Sequence, residues 1–415
     1  MMSTPAVGAG GSNGPAGADA VLVGTFNTPG ADTPVLANAG GLVHTAGWPD
    51  APDAVAGAGP DAPSWLVRGR PGTPSAGRLY AALHLPEGEI AVLSPSAARA
   101  EATAEVNALG AAGSGNDVGW VTTQRVPTGG ANTCHADLNP AGTWLAAASY
   151  DSGTLTVAPV LEDGLVGQPV AVQAPDGSGP VASRQEAPHL HFVLFLDDDR
   201  LLVTDLGADR ILEYSLQDIV RNGAGAGPGN TPDVVESDCT PSWTHLLPAG
   251  TGPRHLALLP PLPEAGIEGR HLAVVGELDS RLHVLDLDAT AEGFREVAIV
   301  PTHAQDLDPG SAQDNLPSHL VLSPDGALIY VANRGRDTIG VIRRAGTPEL
   351  VAEVACGGNW PRHIALGHPG GAPTLLVALE RGDAVVGLPL DADGIPGEAQ
   401  TRVAVQRPGF VLPGS

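Results

Sequence analysis

HLVLSPDGALIYVANRGRDTIGVIRR, residues His319 to Arg344, holds an apolar run, a Pro-Asp-Gly turn, a second apolar run, a polar turn and a third alternating run. It reads as strand, turn, strand, turn, strand. The same order recurs on both sides of it. Upstream lie CHADLNPAGTWLAAASYDSGTLTVAPVLEDG from Cys134, HLHFVLFLDDDRLLVTDLGADRILEYSL from His189, and RHLALLP from Arg254, which resumes after an insertion as HLAVVGELDSRLHVLDLD. Downstream, RHIALGHPGGAPTLLVALERGDAVVGLPLDADG runs from Arg362 to Gly394, and a poorer copy, SWLVRGRPGTPSAGRLYAALHLPEGEIAVLS, begins at Ser64. That makes six internal units, with matching positions at Trp65, His135, His191, His255, His319 and His363.

A unit of three or four short antiparallel strands cannot bury both its faces alone, and radial stacking solves this while leaving only short protected edges. The expected fold is therefore all-β, a seven-bladed β-propeller. Its seventh blade would come from VLVGTF at Val21 to Phe26 and RPGFVLPG at Arg407 to Gly414, so that strands from both termini close the ring. Residues 1–18, rich in Gly, Ala, Ser and Pro, read as a flexible leader, and residues 19–415 as one propeller domain. Helical signal is confined to short pieces such as Ser96 to Leu109. The Gly/Pro-rich insertions Gln173 to Gln185 and Asn222 to Pro241 read as loops without helix or strand interiors.

The composition agrees. The 415 residues include 55 Gly and 39 Pro, which favour many turns over long helices. The net charge is −25 and all 21 basic residues are Arg. An acidic surface without Lys argues against nucleic acid as a partner. It also removes Schiff-base chemistry and the P-loop ATPase mechanism, which both need a primary ammonium. Three widely spaced cysteines, Cys134, Cys239 and Cys356, predict neither a disulfide framework nor a structural zinc site. With no signal-peptide pattern and no 18-residue apolar stretch, the reading is a cytoplasmic protein with no membrane partner, a monomer or dimer.

In a propeller the first strand of each blade lines the central channel, so residues just before it gather at one mouth. The recurrent polar residues there are His135, His189 with His191, Arg254 with His255, His319, and Arg362 with His363. A second set follows the second strand: Asp205, Glu277, Asn333 with Arg334, and Glu380 with Arg381. Each histidine could instead bond the backbone of a neighbouring blade and pin the ring. A buried guanidinium must pair with an acid or face the channel, and Glu277, after an apolar strand, is the general-base candidate.

GPRHLAL, GELDSRLHVLDLD, SHLVLSPDGALIYVANRGRDTIGVI and GNWPRHIALG, in this order, resemble signature segments of the seven-bladed lactonase family, which includes propeller-type 6-phosphogluconolactonases and carboxy-muconate lactonizing enzymes. PSWL, CHADLNPAG and PHLHFVLF extend the resemblance over Ser64 to Leu412. It implies an active site of one His, two Arg and one Glu, falling on His191, Arg254, Glu277 and Arg334. His135, His189, His255, His319, Arg362 and His363 are then candidate substrate-binding residues. The implied reaction is metal-independent, cofactor-free hydrolysis of a small anionic lactone, with 6-phosphogluconolactone first in line. Glu277 or His191 would activate water and the arginines would hold the developing oxyanion. The alternatives are a muconate cycloisomerase on the same residues, a calcium-dependent lactonase using Glu277, Asn333, Asp205 and Asn359 as oxygen ligands, and a non-enzymatic binding scaffold.

Overall fold

The computed structural model describes residues 21–26, 42–46, 53–56, 60–95, 120–223, 234–288, 293–304 and 315–414. The leader and the segment Ser96 to Leu109 lie outside the described residues.

Seven antiparallel sheets form the seven blades. Blade 1 is built from both ends of the chain: β29 (Pro408–Pro413) is its inner strand and is followed outward by β1 (Val21–Thr25), β2 (Leu42–Ala46) and β3 (Asp53–Ala56). The inner strands of blades 2 to 7 are β4 (Pro63–Arg68), β8 (Thr133–Leu138), β12 (Leu190–Phe195), β17 (Pro253–Leu259), β21 (Leu316–Leu322) and β25 (Pro361–Gly367). Each inner strand touches the next, and β29 touches both β25 and β4, so the ring is closed.

The second strands explain the stability of the stack. LYAAL, WLAAAS, RLLVTD, HLAVVG, LIYVANR and TLLVAL are buried along almost their whole length. They are apolar on both faces because each blade is covered by a neighbour on either side. The hydrophobic clusters accordingly lie between blades: one joins Ala146, Leu155 and Val172 of blade 3 to Leu190, Val203 and Leu212 of blade 4. Two buried tyrosines pin blades across the gap. Tyr80 donates to Gly164 O at 2.9 Å and Tyr330 to Gly394 O at 2.8 Å.

One expectation needs correction. The insertion Asn222 to Pro241 carries a short strand, β15 (Val235–Ser237), paired in parallel with β11 (Val170–Gln173) as a fifth, outermost strand of blade 3. An outer edge offers unpaired N–H and C=O groups, and three residues of extended chain suffice to cover part of it. No helix among the described residues is long and apolar enough to cross a membrane. Cys134, Cys239 and Cys356 are free thiols and buried.

Candidate active site

The inner strand of every blade carries a β-bulge at the same point. The pairing register jumps between Pro63 and Trp65, Thr133 and His135, Leu190 and Phe192, Pro253 and His255, and Pro361 and His363, with corresponding jumps in β21 and against β1. A bulge places two residues opposite one and re-aims a side chain. The bulged residues are therefore equivalent around the ring: Gly409, Ser64, Cys134, His191, Arg254, Ser318 and Arg362. The chain just before the inner strand also bonds the residue leaving the second strand. The amides of Phe26, His84, Tyr150, Leu206, Glu277 and Glu380 donate to the carbonyls of Arg407, Ala62, Asn132, His189, Gly252 and Trp360 at 2.9–3.1 Å. With Arg334 from β22 (Leu328–Arg334), these form a second ring at the same mouth.

This register corrects one matching position. The residue of blade 4 in phase with His135 and His255 is Phe192, whereas His191 is in phase with Arg254 and Arg362. The in-phase set closes the channel. Trp65 lies with its ring centroid 4.2–5.9 Å from those of His135, Phe192, His255, His319, His363 and Phe410. Three of these histidines also tie blade to blade: Val193 N donates to His135 Nδ1 at 3.2 Å, and Ile364 N and Val411 N donate to His319 and His363 Nδ1 at 3.4 Å. Burial keeps His135, His255 and His363 well below the ordinary imidazole range, and pushes His319 to about 3. They form the neutral floor beneath the mouth.

Above that floor, polar character is concentrated in blades 4 to 7. Glu277 is 2 % exposed and meets three guanidiniums: Oε1 lies 2.5 Å from Arg184 Nη2, and Oε2 lies 2.8 Å from Arg254 Nε and 2.7 Å from Arg334 Nη2. Burial opposes its ionisation, but the charges of Arg334, Arg254 and Arg184 together outweigh burial and hold the carboxyl well below the usual range. Burial and then the neighbouring Arg334 act against the Arg254 cation, which relies on Glu277 for its counter-charge. Arg254 also bonds Ser318 O across to the next blade, and Arg334 Nε donates to Leu316 O at 2.9 Å.

Local chain geometry fixes this frame. Gly252 has φ +57°, and a Cβ there would meet Leu278 Cγ at 2.4 Å, so a side chain on this turn into Pro253-Arg254 would displace Leu278. Its amide donates to Asp209 Oδ1 at 2.7 Å, and its carbonyl receives the Glu277 amide at 2.9 Å. The turn thus sets the spacing of the Arg254–Glu277 pair.

His191 sits beside this pair, buried, with Nδ1 lacking a hydrogen-bond partner among the described residues. Burial, then the Arg254 charge, lowers its pKa well below 6.5, while Glu277 pulls the other way. It is neutral at physiological pH. His189 stacks on Tyr150 at 4.5 Å and contacts Tyr150 O and the Glu186 carboxylate. Arg362 pairs with Glu380 at 3.0 Å, and Arg407 reaches the other oxygen of Glu380 at 3.1 Å.

Two contributors have no place among the sequence candidates. Arg184 arrives from the insertion Gln173 to Gln185, and its Nη2 bonds both Glu277 and, at 3.3 Å, the hydroxyl of Tyr150. Tyr150 occupies the same exit position as Glu277, and continuing the second candidate set upstream from Asp205 would have found it and His84. Asp205 itself precedes that position. It pairs with Arg210 at 2.8 Å and receives the His189 amide, leaving Leu206 on the ring.

Of the four oxygen donors considered for calcium, Glu277 is wrapped in guanidiniums, Asp205 holds Arg210, Asn333 donates to Thr302 O and Asn359 donates to Asp337. A cation beside Glu277 would face three like charges, so the donor set does not suit calcium. A groove of about 360 Å³ bounded by Leu259, His271 and Val284 lies at the opposite end of the strands and contains none of the site residues.

The fold has counterparts. A Bacillus subtilis 6-phosphogluconolactonase is 32 % identical over 237 residues, 56 % of this chain and 59 % of its own length, so the match spans under two thirds of that relative. Solved structures of a Lactobacillus plantarum protein (22 % identity, 96 % of this chain and 99 % of that one, TM-score 0.72) and of a periplasmic gluconolactonase from Pseudomonas aeruginosa (20 %, 95 % and 99 %, TM-score 0.71) share the architecture. The family model for the seven-bladed β-propeller lactonases matches residues 53–413, which takes in blades 2 to 7 and two of the four strands of blade 1, and the chain belongs to that family.

Proposed function

We propose that this chain is a lactone hydrolase that opens an anionic sugar lactone, with 6-phosphogluconolactone as the leading substrate, without a metal. The observation that carries the reading is one buried carboxylate held by three guanidiniums beside a buried histidine whose Nδ1 has no hydrogen-bond partner among the described residues. Ester hydrolysis needs a base for water and fixed positive charge where the carbonyl oxygen becomes an oxyanion. Three guanidiniums against one carboxylate leave two positive charges in a site largely shut off from water, inside a protein whose overall field repels anions.

We assign the base role to His191, whose Nδ1 is open, rather than to Glu277, whose two oxygens are taken by Arg184, Arg254 and Arg334. Neutral imidazole can take the proton of the attacking water, and the Glu277 charge stabilises the imidazolium that forms. Arg254 and Arg334 then donate to the oxyanion, and Glu277 keeps their forks in position. The ring oxygen leaves as the alcohol when the imidazolium returns the proton.

This reading has a pH signature. Because the pKa of His191 is lowered, the base is already deprotonated well below pH 6.5. The kcat/KM for 6-phosphogluconolactone, corrected for spontaneous hydrolysis, is expected to stay flat from pH 8 down through pH 6.5, with and without a chelator. An acid limb centred at or above 6.5, or loss of turnover in the chelator, contradicts it.

A further inference from the structure

The Arg–Glu pair of blade 5 has a copy in blade 7. GPRH and WPRH place Arg254 and Arg362 on the same bulge position, and Glu277 and Glu380 on the same exit position. The local frames match as well. Trp360 has φ +63° where Gly252 has +57°, the Trp360 amide donates to Asp337 Oδ1 at 2.7 Å as Gly252 does to Asp209, and its carbonyl receives the Glu380 amide at 3.0 Å.

The two pairs differ in what remains available. Arg254 has a side chain 3 % exposed, with Nε against Glu277 and Nη1 donating to His255 Nε2 at 2.9 Å and to Ser318 O. The Arg362 side chain is 19 % exposed, and among the described residues the partner of its guanidinium is the Glu380 carboxylate alone. Its carbon Cζ lies 4.5 Å from the Phe26 ring centroid, a stacked contact that orients the fork without using its donors. Gly409 makes room for that ring, since a Cβ there would stand 2.4 Å from Phe26. Glu380 is shared by Arg362 and Arg407.

We propose that Arg362, held by Glu380 and Phe26, is a second anion station of the mouth, and that it selects lactones carrying a phosphate or carboxylate away from the reacting carbonyl. The proposal rests on the lactonase reading for its substrate class. Arg362 stands on the same bulge position as Arg254, two blades along the ring, so both belong to the same mouth. A guanidinium fork matches both phosphate and carboxylate oxygens, and charge-assisted bonds of this kind are worth about one to two powers of ten in binding.

The experiment measures kcat/KM of wild type, Arg362→Gln and Arg362→Lys on 6-phosphogluconolactone, on gluconolactone and on a carboxylate-bearing muconolactone. The expected result is a fall of about 10- to 100-fold in the ratio of anionic to neutral substrate for Arg362→Gln, with part of it kept by Arg362→Lys. A fall confined to the phosphorylated lactone assigns the station to phosphate, and one confined to the muconolactone assigns it to carboxylate. An unchanged ratio for both overturns the proposal. Calorimetric titration with 6-phosphogluconate separates it from the lactonase reading. If wild type turns over no lactone but binds 6-phosphogluconate tightly and Arg362→Gln does not, the station stands and the hydrolase reading falls. Equal binding by wild type and variant overturns the station.

Discussion

Glu277→Gln is expected to lower turnover of 6-phosphogluconolactone by at least about a hundredfold and to destabilise the fold by about 3–5 kcal/mol. Both effects have one cause. The carboxylate is the counter-charge for three guanidiniums, two of which are as buried as it is, and removing one member of a buried ion cluster leaves the rest unpaired. Activity falls because the forks of Arg254 and Arg334 lose their anchor and the His191 imidazolium loses its stabilising charge. The stability loss has a pH signature of its own. The folded pKa of Glu277 lies below its unfolded value of 4.5, so its contribution is complete above pH 4.5 and fades as pH falls toward the folded pKa. Denaturant melts of wild type and variant should therefore differ most at neutral pH and converge in acid. A constant difference at all pH values would show that the loss is one of shape rather than charge.

Trp65→Ala is expected to cost about 3 kcal/mol of stability, the lower part of the range for losing a large core aromatic, because Trp65 is partly exposed. Its indole touches a ring from each of the other six blades, which makes it the piece that fills the axis of the propeller. Truncation leaves a cavity that seven inner strands cannot collapse into without breaking their ladders. Its position below the mouth predicts a smaller effect on KM than on the unfolding midpoint. Thermal and denaturant melts beside steady-state kinetics test this, and a variant as stable as wild type would remove Trp65 from that role.

The blade pattern was legible because it is written in the period of the chain. Apolar runs such as LIYVANR and TLLVAL, set off by Asp-Gly and polar turns, can only be buried by stacking, and the two leftover terminal strands had one place to go. The bulges were not legible. A single inserted residue shifts the phase of one strand without altering the apolar pattern on either side, so PHLHF aligned with its second histidine rather than with Phe192. The same shift decides which side chains face the channel plug and which face the mouth.

Arg254, Glu277 and Arg334, which the structure brings together, stand in the recurrent polar sets of the sequence, and the family resemblance singled them out. Arg184 was not singled out, because it comes from a loop inserted in one blade and repeated nowhere. Its signal is chemical rather than periodic: an arginine just ahead of PHLH in a chain that has no lysine. The low proton affinity of Glu277 was equally hidden, since it depends on three guanidiniums brought from two blades and one loop.

The most direct test of the account is the initial rate of 6-phosphogluconolactone hydrolysis by wild type and by His191→Gln, measured side by side with the unfolding midpoint of each. The account predicts turnover well above the spontaneous rate in wild type and a fall of about 10²–10⁴-fold in the variant. It also predicts little change in stability, because Nδ1 of His191 has no partner to lose. A variant that hydrolyses the lactone at the wild-type rate, or a wild type that does no better than water, would contradict it.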